Sequence, residues 1–174
     1  MKRSTSFSFL LAIILTGVST NWILTQKLPA KVATHFNFEG IPDGFMTIAG
    51  YRWFICIFSG IFPMFMLFMI GVVPSLFPGA TNIPNRDYWF HPDRKTETMN
   101  YLFRMGCLLA GLMTLFFVGL NYVTVVANQN DPIRMPSNIF FIMLGTFLTG
   151  IGTWVFTLNK KFRRMVPARM EKDS

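Results

Sequence analysis

His35, Asn37, Glu39 and Asp43 fall in one short segment and are the side chains of this chain best suited to chemistry. An imidazole beside two carboxylates can hold a divalent metal, act as an acid/base pair or respond to pH. One His with no second nitrogen ligand nearby makes the metal reading weak, and no metal or other cofactor is expected. The competing reading is structural: Asn37 and Asp43 hold turns while His35 bonds a backbone carbonyl. A second polar group, Asn85, Arg86, Asp87, Tyr88 and Trp89 with His91 close behind, is the other candidate recognition surface. Tyr88 and Trp89 equally suit an aromatic belt at a membrane interface. Ligand or partner recognition through His35, Asn37, Asp43 and residues 85–89 is the site expectation, and no catalytic residue is assigned.

The elements that must position these side chains have their own signals. Residues 32–38 alternate, with Val32, Thr34, Phe36 and Phe38 on one side and Ala33, His35 and Asn37 on the other, which is a strand period. Gly40 and the group Pro42, Asp43, Gly44 are turn chemistry, Pro presetting φ and Gly accepting positive φ. A short hairpin or extended loop is expected. Pro92 suits a first helical position and Asp93 the first turn, so a helix should start near Pro92 and run on through Glu97 and Arg104.

The rest of the chain reads as membrane. Apolar residues make up 52% and charged residues 14%, against about a quarter charged in soluble domains. Spans are expected at about 7–26, 52–74, 103–127 and 138–158. At about 1.5 Å per residue, roughly 20 apolar residues cross a hydrocarbon core of about 30 Å. Backbone groups find no water there, so each stretch should be helical. The fold class is an all-α integral membrane protein: four transmembrane helices in one domain, 1–174, with a short extended or hairpin outer loop. The motif loops occupy 28–50 and 80–95, and a basic tail 159–174. The first stretch is the weakest, because Thr16, Ser19, Thr20, Asn21 and Thr25 make one half polar. Its Met1-Lys2-Arg3 opening is like that of a signal peptide. The apolar region is long for one and no convincing cleavage site follows, so a retained helix is expected.

The net charge of +8 would raise nucleic-acid binding in a soluble protein. In this chain the basic residues gather at the ends of apolar runs, and no nucleic-acid motif or phosphate-binding loop accompanies them. With the N-terminus inside, twelve Lys and Arg residues fall on the cytoplasmic side; Lys27, Lys31, Arg52 and Arg134 fall outside. That bias places both termini in the cytoplasm. Cys56 and Cys107 then lie near opposite ends of their helices, on the order of 20 Å apart along the bilayer normal, too far for a disulfide.

Small and polar residues should mark helix contacts, since lipid gives helices no hydrophobic reason to associate. Candidate stripes are Gly145, Thr149 and Thr153 with Thr146 and Gly150; Gly106 and Ala110, then Asn121 and Thr124; and Thr16, Thr20 and Asn21. A polar substrate path would need ionisable groups at membrane depth, and the apolar runs hold none.

The run Leu28-Pro29, Thr34-His35-Phe36-Asn37, Gly40, Pro42-Asp43-Gly44 resembles a bacterial membrane family called domain of unknown function 1648. That family pattern is roughly Leu-Pro, His-x-Asn and Gly-x-Pro-Asp between two transmembrane helices. Asn82-Ile83-Pro84-Asn85-Arg86-Asp87-Tyr88-Trp89 looks like a stretch that several members carry. The domain also occurs in immunity and signalling proteins that protect a Bacillus cell from its own SDP toxin, although those have more than four membrane helices. The resemblance implies a bacterial inner-membrane protein of immunity or signalling, and it supplies no catalytic residue.

The expected function is non-enzymatic: an outer loop that recognises a peptide, lipid or envelope component, in a chain whose constant partner is the lipid bilayer. One alternative is a membrane-embedded enzyme or metal site built on His35, Glu39 and Asp43. Another is a small transporter or transporter subunit, which would need oligomerisation to build a pore.

Overall fold

A computed structural model describes residues 2–163 of the chain; most of the basic tail, residues 164–174, lies outside the described residues. The element order is α1 (Arg3–Thr25), β1 (Lys31–Phe36), β2 (Pro42–Thr47), α2 (Ile48–Ser59), α3 (Ile61–Gly71), α4 (Val73–Leu76), α5 (Arg86–Trp89), α6 (Pro92–Gln129) and α7 (Ser137–Phe162). Four helical stretches are long and apolar enough to cross a membrane: Arg3–Thr25, Ile48–Leu76, Pro92–Gln129 and Ser137–Phe162. The one sheet among the described residues is the two-stranded antiparallel hairpin β1–β2.

Helix α6 is the axis of the bundle. It starts with Pro92 at its first position, where the missing N–H costs nothing. Its length carries it past both ends of the apolar run. Helices α1 and α3 pack along it, and the core at this level is Leu10, Ile14, Leu67, Cys107 and Ala110. Close approach depends on glycine. A Cβ at Gly17 would lie 2.6 Å from Thr114 Cγ2, and one at Gly106 would lie 3.0 Å from Leu67 Cδ1.

The second span is broken at Gly60, and the break has a chemical cause. Pro63 has no N–H to give the carbonyl of Ser59, four residues back. The Thr114 hydroxyl of α6 donates to that carbonyl instead, at 2.9 Å. Thr114 therefore serves three helices: it belongs to α6, fills the space left by Gly17 on α1, and satisfies the backbone of α2.

A buried polar network ties the same helices together at the hairpin end. Tyr51 donates to Asn121 Oδ1 at 3.1 Å, and Asn121 Nδ2 donates to Asn21 Oδ1 at 3.0 Å. Asn121, Thr124 and Asn21 thus mark contacts as their types predict, as do Gly106 and Ala110. Thr16 does not, because it is exposed, and Gly17 beside it makes the contact.

The expectation for the fourth span is corrected. Gly145, Thr146, Thr149 and Thr153 lie on the exposed face of α7, and a Cβ at Gly145 would meet nothing within 4 Å. The three hydroxyls donate to carbonyls four residues back in their own helix, so they need no partner helix. Of the stripe only Gly150 packs, against Leu112. Helix α7 is held to α6 by Phe147 stacked on Phe116 and by Trp154 Nε1 donating to the Met105 carbonyl at 2.8 Å. Cys56 and Cys107 are both free thiols.

Candidate functional site

The hairpin departs from regular pairing in a way that creates the site. The register runs Lys31 to Thr47, Val32 to Met46 and Ala33 to Phe45, then His35 to Gly44 and Phe36 to Pro42. Thr34 is thus an extra residue on β1 and Asp43 an extra residue on β2, two bulges that offset one another. The second bulge turns Asp43 toward His35, and Asp43 Oδ1 pairs with His35 Nδ1. Gly44, opposite His35, leaves the room: a Cβ there would lie 2.8 Å from His35 Cβ.

The strand alternation expected from the sequence holds only in part. Val32 and Ala33 are adjacent and both are fully buried. Val32 enters a core of Leu28, Tyr51, Ile55 and Val125. On the opposite face, Ala33 is covered by the last turn of α6. There the Asn128 side chain accepts from Ala33 N–H at 2.8 Å and donates to Ala33 C=O at 2.9 Å. One amide side chain thereby does for Ala33 what a neighbouring strand would do.

The remaining polar residues of this segment are not part of the pair. Asn37 Oδ1 accepts from the backbone N–H of Glu39 at 3.0 Å and of Ile41 at 2.9 Å, closing the turn around Gly40, whose φ is +77°. Glu39 is exposed, and its carbonyl accepts from Arg134 at 3.1 Å. The Gly40 carbonyl accepts from Met135 N–H at 3.0 Å. The tip is therefore fastened to the loop between α6 and α7. Among the described residues, no group of three or more His, Cys, Asp and Glu side chains is arranged to hold a metal.

His35 and Asp43 are both exposed, on a hairpin whose opposite side is fixed at Val32, Ala33 and Gly40. The pair engages Nδ1 of His35 and leaves Nε2 without a hydrogen bond among the described residues. Around the pair, Phe38, Ile41 and Phe45 expose large apolar surface. Lys31 lies over the Phe45 ring at 4.6 Å.

The other motif loop sits at the opposite end of the bundle, and its residues mainly build structure. Asn85 takes a left-handed conformation, φ 54° and ψ 42°, which Asn tolerates better than most residues. From there Asn85 Nδ2 donates to the Phe162 carbonyl at 3.1 Å, and Trp89 Nε1 donates to the same oxygen at 3.2 Å. Two side chains thus satisfy a carbonyl that the end of α7 leaves unpaired. The Trp89 ring meets Phe162 edge-on at 5.5 Å. Lys161, from the start of the basic tail, lies over Trp89 and bonds Glu97 at 3.1 Å. Arg86 donates to the Gly79 carbonyl at 2.8 Å and pairs with Asp87, while Arg94 covers the Tyr88 ring.

Sequence reasoning missed Asn128, Arg134 and Thr114. Each acts on backbone atoms far along the chain, and no local pattern signals such a role.

No curated protein and no solved structure matches this chain significantly. Residues 11–62, which take in most of α1, the whole hairpin, α2 and the start of α3, match the family model "Domain of unknown function (DUF1648)". The 82–89 motif falls outside that match. Over the segment that carries the His35–Asp43 pair, the chain resembles the DUF1648 family.

Proposed function

We propose that this is a non-enzymatic inner-membrane protein whose β-hairpin recognises an extended peptide segment at the outer surface, in signalling or immunity. The observation that carries the reading is the exposed His35–Asp43 pair on a hairpin fastened to the bundle on its other side. Such a pair contributes on the order of 0–1 kcal/mol to stability, so the fold does not need it. Recognition needs a fixed donor and acceptor, which this pair offers. A peptide fits better than a lipid because, among the described residues, β2 has no neighbouring strand on its outer edge and exposes Phe45 and Met46. An added strand would find main-chain partners there and apolar contacts beside them. Residues 85–89, docked on the end of α7, would carry the bound state to the cytoplasmic face.

The test is His35→Ala and Asp43→Ala in the native host. Both should abolish the phenotype of the intact protein while leaving its membrane level unchanged. Retained function in both would remove the hairpin pair from the mechanism. The topology has its own check. Phe38→Cys should react with an impermeant maleimide on intact cells, and Arg86→Cys should react only after lysis; the reverse pattern would invert the assignment of faces.

A further inference from the structure

Between α1 and the exposed flank of α6 runs an open groove of about 460 Å³. Phe9, Leu10 and Ile13 line it from α1, and Leu108, Gly111 and Leu115 from α6. Gly111 keeps the floor low: a Cβ there would come within 3.6 Å of Ile13 Cδ1. At the end of the groove away from the hairpin stand Ser6 and Arg104. Arg3, Arg52, Arg86, Arg94 and Arg134 each rest on a carbonyl, a hydroxyl or an aromatic ring. Arg104 has no ion pair or hydrogen bond among the described residues.

We infer that this groove binds one acyl chain of an anionic phospholipid, with the lipid phosphate on Arg104. Length supports this. From Arg104 to Leu115, α6 rises about 16 Å, roughly half of a hydrocarbon core of about 30 Å. The groove is one leaflet deep, with its cation at the headgroup level of the leaflet opposite the hairpin. Charge supports it as well. The guanidinium fork matches phosphate oxygens, and among the described residues no carboxylate pairs with Arg104. A helix from a second copy fits poorly. The apolar runs of the four spans hold no Asp or Glu to meet Arg104, and the walls are bulky where close helix packing needs small residues.

Native mass spectrometry of the full chain in detergent, titrated with phosphatidylglycerol and with phosphatidylcholine, tests this. The expected result is one retained phosphatidylglycerol, bound in preference to phosphatidylcholine. Arg104→Gln should cut that preference about fivefold, the change that about 1 kcal/mol per interfacial charge represents. Arg104→Lys should keep most of it. Gly111→Leu, which fills the floor, should remove retention of both lipids. Equal retention of the two lipids by the unaltered protein, or an unchanged preference in Arg104→Gln, overturns the inference. So does a dimer that Gly111→Leu dissolves, which would give the groove to a second copy. Arg104 is a partly exposed side chain with no bonded partner among the described residues, so its variants should fold and keep the test decisive even if Gly111→Leu does not.

Discussion

Replacing Asn128 by Ala would strip Ala33 of both partners of its backbone in one step. Ala33 is fully buried, and its N–H and C=O bond the Asn128 amide at 2.8 and 2.9 Å. A buried backbone group left without a partner costs about 1–3 kcal/mol. Two such groups, with some water entering at the end of the bundle, come to about 2–4 kcal/mol against the docked hairpin. That is a rise of roughly 30- to 800-fold in the population in which β1 has come away from α6. The Thr124 carbonyl, which also accepts from Asn128, loses less, because a helical carbonyl at that position keeps its own backbone donor. Hydrogen exchange followed by mass spectrometry on the protein in nanodiscs reads this directly, since the Ala33 amide is itself a reporter. Exchange across residues 31–36 should accelerate by one to three orders of magnitude, with the interior of α6 unaffected. Asn128→Asp should do no better. It keeps an acceptor for the Ala33 N–H, sets a carboxylate against the Ala33 carbonyl, and places negative charge at a helix C-terminus. If exchange over 31–36 is unchanged in Asn128→Ala, the hairpin is held by Val32 and the Gly40 tip alone, and the reasoning from the amide clamp is refuted.

Gly17→Ala should destabilise the protein by about 1–3 kcal/mol, because the new methyl displaces Thr114 from the Ser59 carbonyl. Gly145→Ala should be neutral or slightly stabilising, since the site is open and helical; equal thermal shifts for the two in detergent would contradict the packing described. Asn85→Ala should lower stability more than Trp89→Phe, because it removes a donor to Phe162 and also forces Ala into a left-handed conformation, at about 1–2 kcal/mol. Asn85→Gly restores the backbone freedom without the donor and should fall between Asn85→Ala and the unaltered protein; limited proteolysis of the 80–95 loop would rank them.

Local patterns carried much of the reading. Four apolar runs, the helix start at Pro92 and the turn residues around Gly40 are local properties, written in adjacent side chains. Lipid and backbone chemistry leave such segments few other conformations. Asn37 was equally legible as a turn-former, because an Asx side chain reaches only its own neighbours. The encounter of His35 with Asp43 was legible only as a possibility. It depends on two one-residue bulges, and a register shift of one residue turns a side chain to the other face.

What only the tertiary structure decided follows from the same physics. A small-residue stripe marks a surface that can pack closely, and lipid is as apolar as a neighbouring helix, so composition does not say which surface does pack. The Gly145–Thr149–Thr153 face was left outward and Gly17 taken inward by how the helices assembled. The Asn128 clamp joins residues 95 positions apart, and Asn85 and Trp89 reach across the bundle to the end of α7. The amino-acid sequence by itself determined which segments are long and apolar enough to cross a membrane, and the turn at Asn37 and Gly40. By contrast, Pro42-Asp43-Gly44, turn chemistry by type, lies in β2, and the second span breaks at Gly60. Which backbone groups would be left unpaired, and which distant amide or hydroxyl would satisfy them, was set when those segments met.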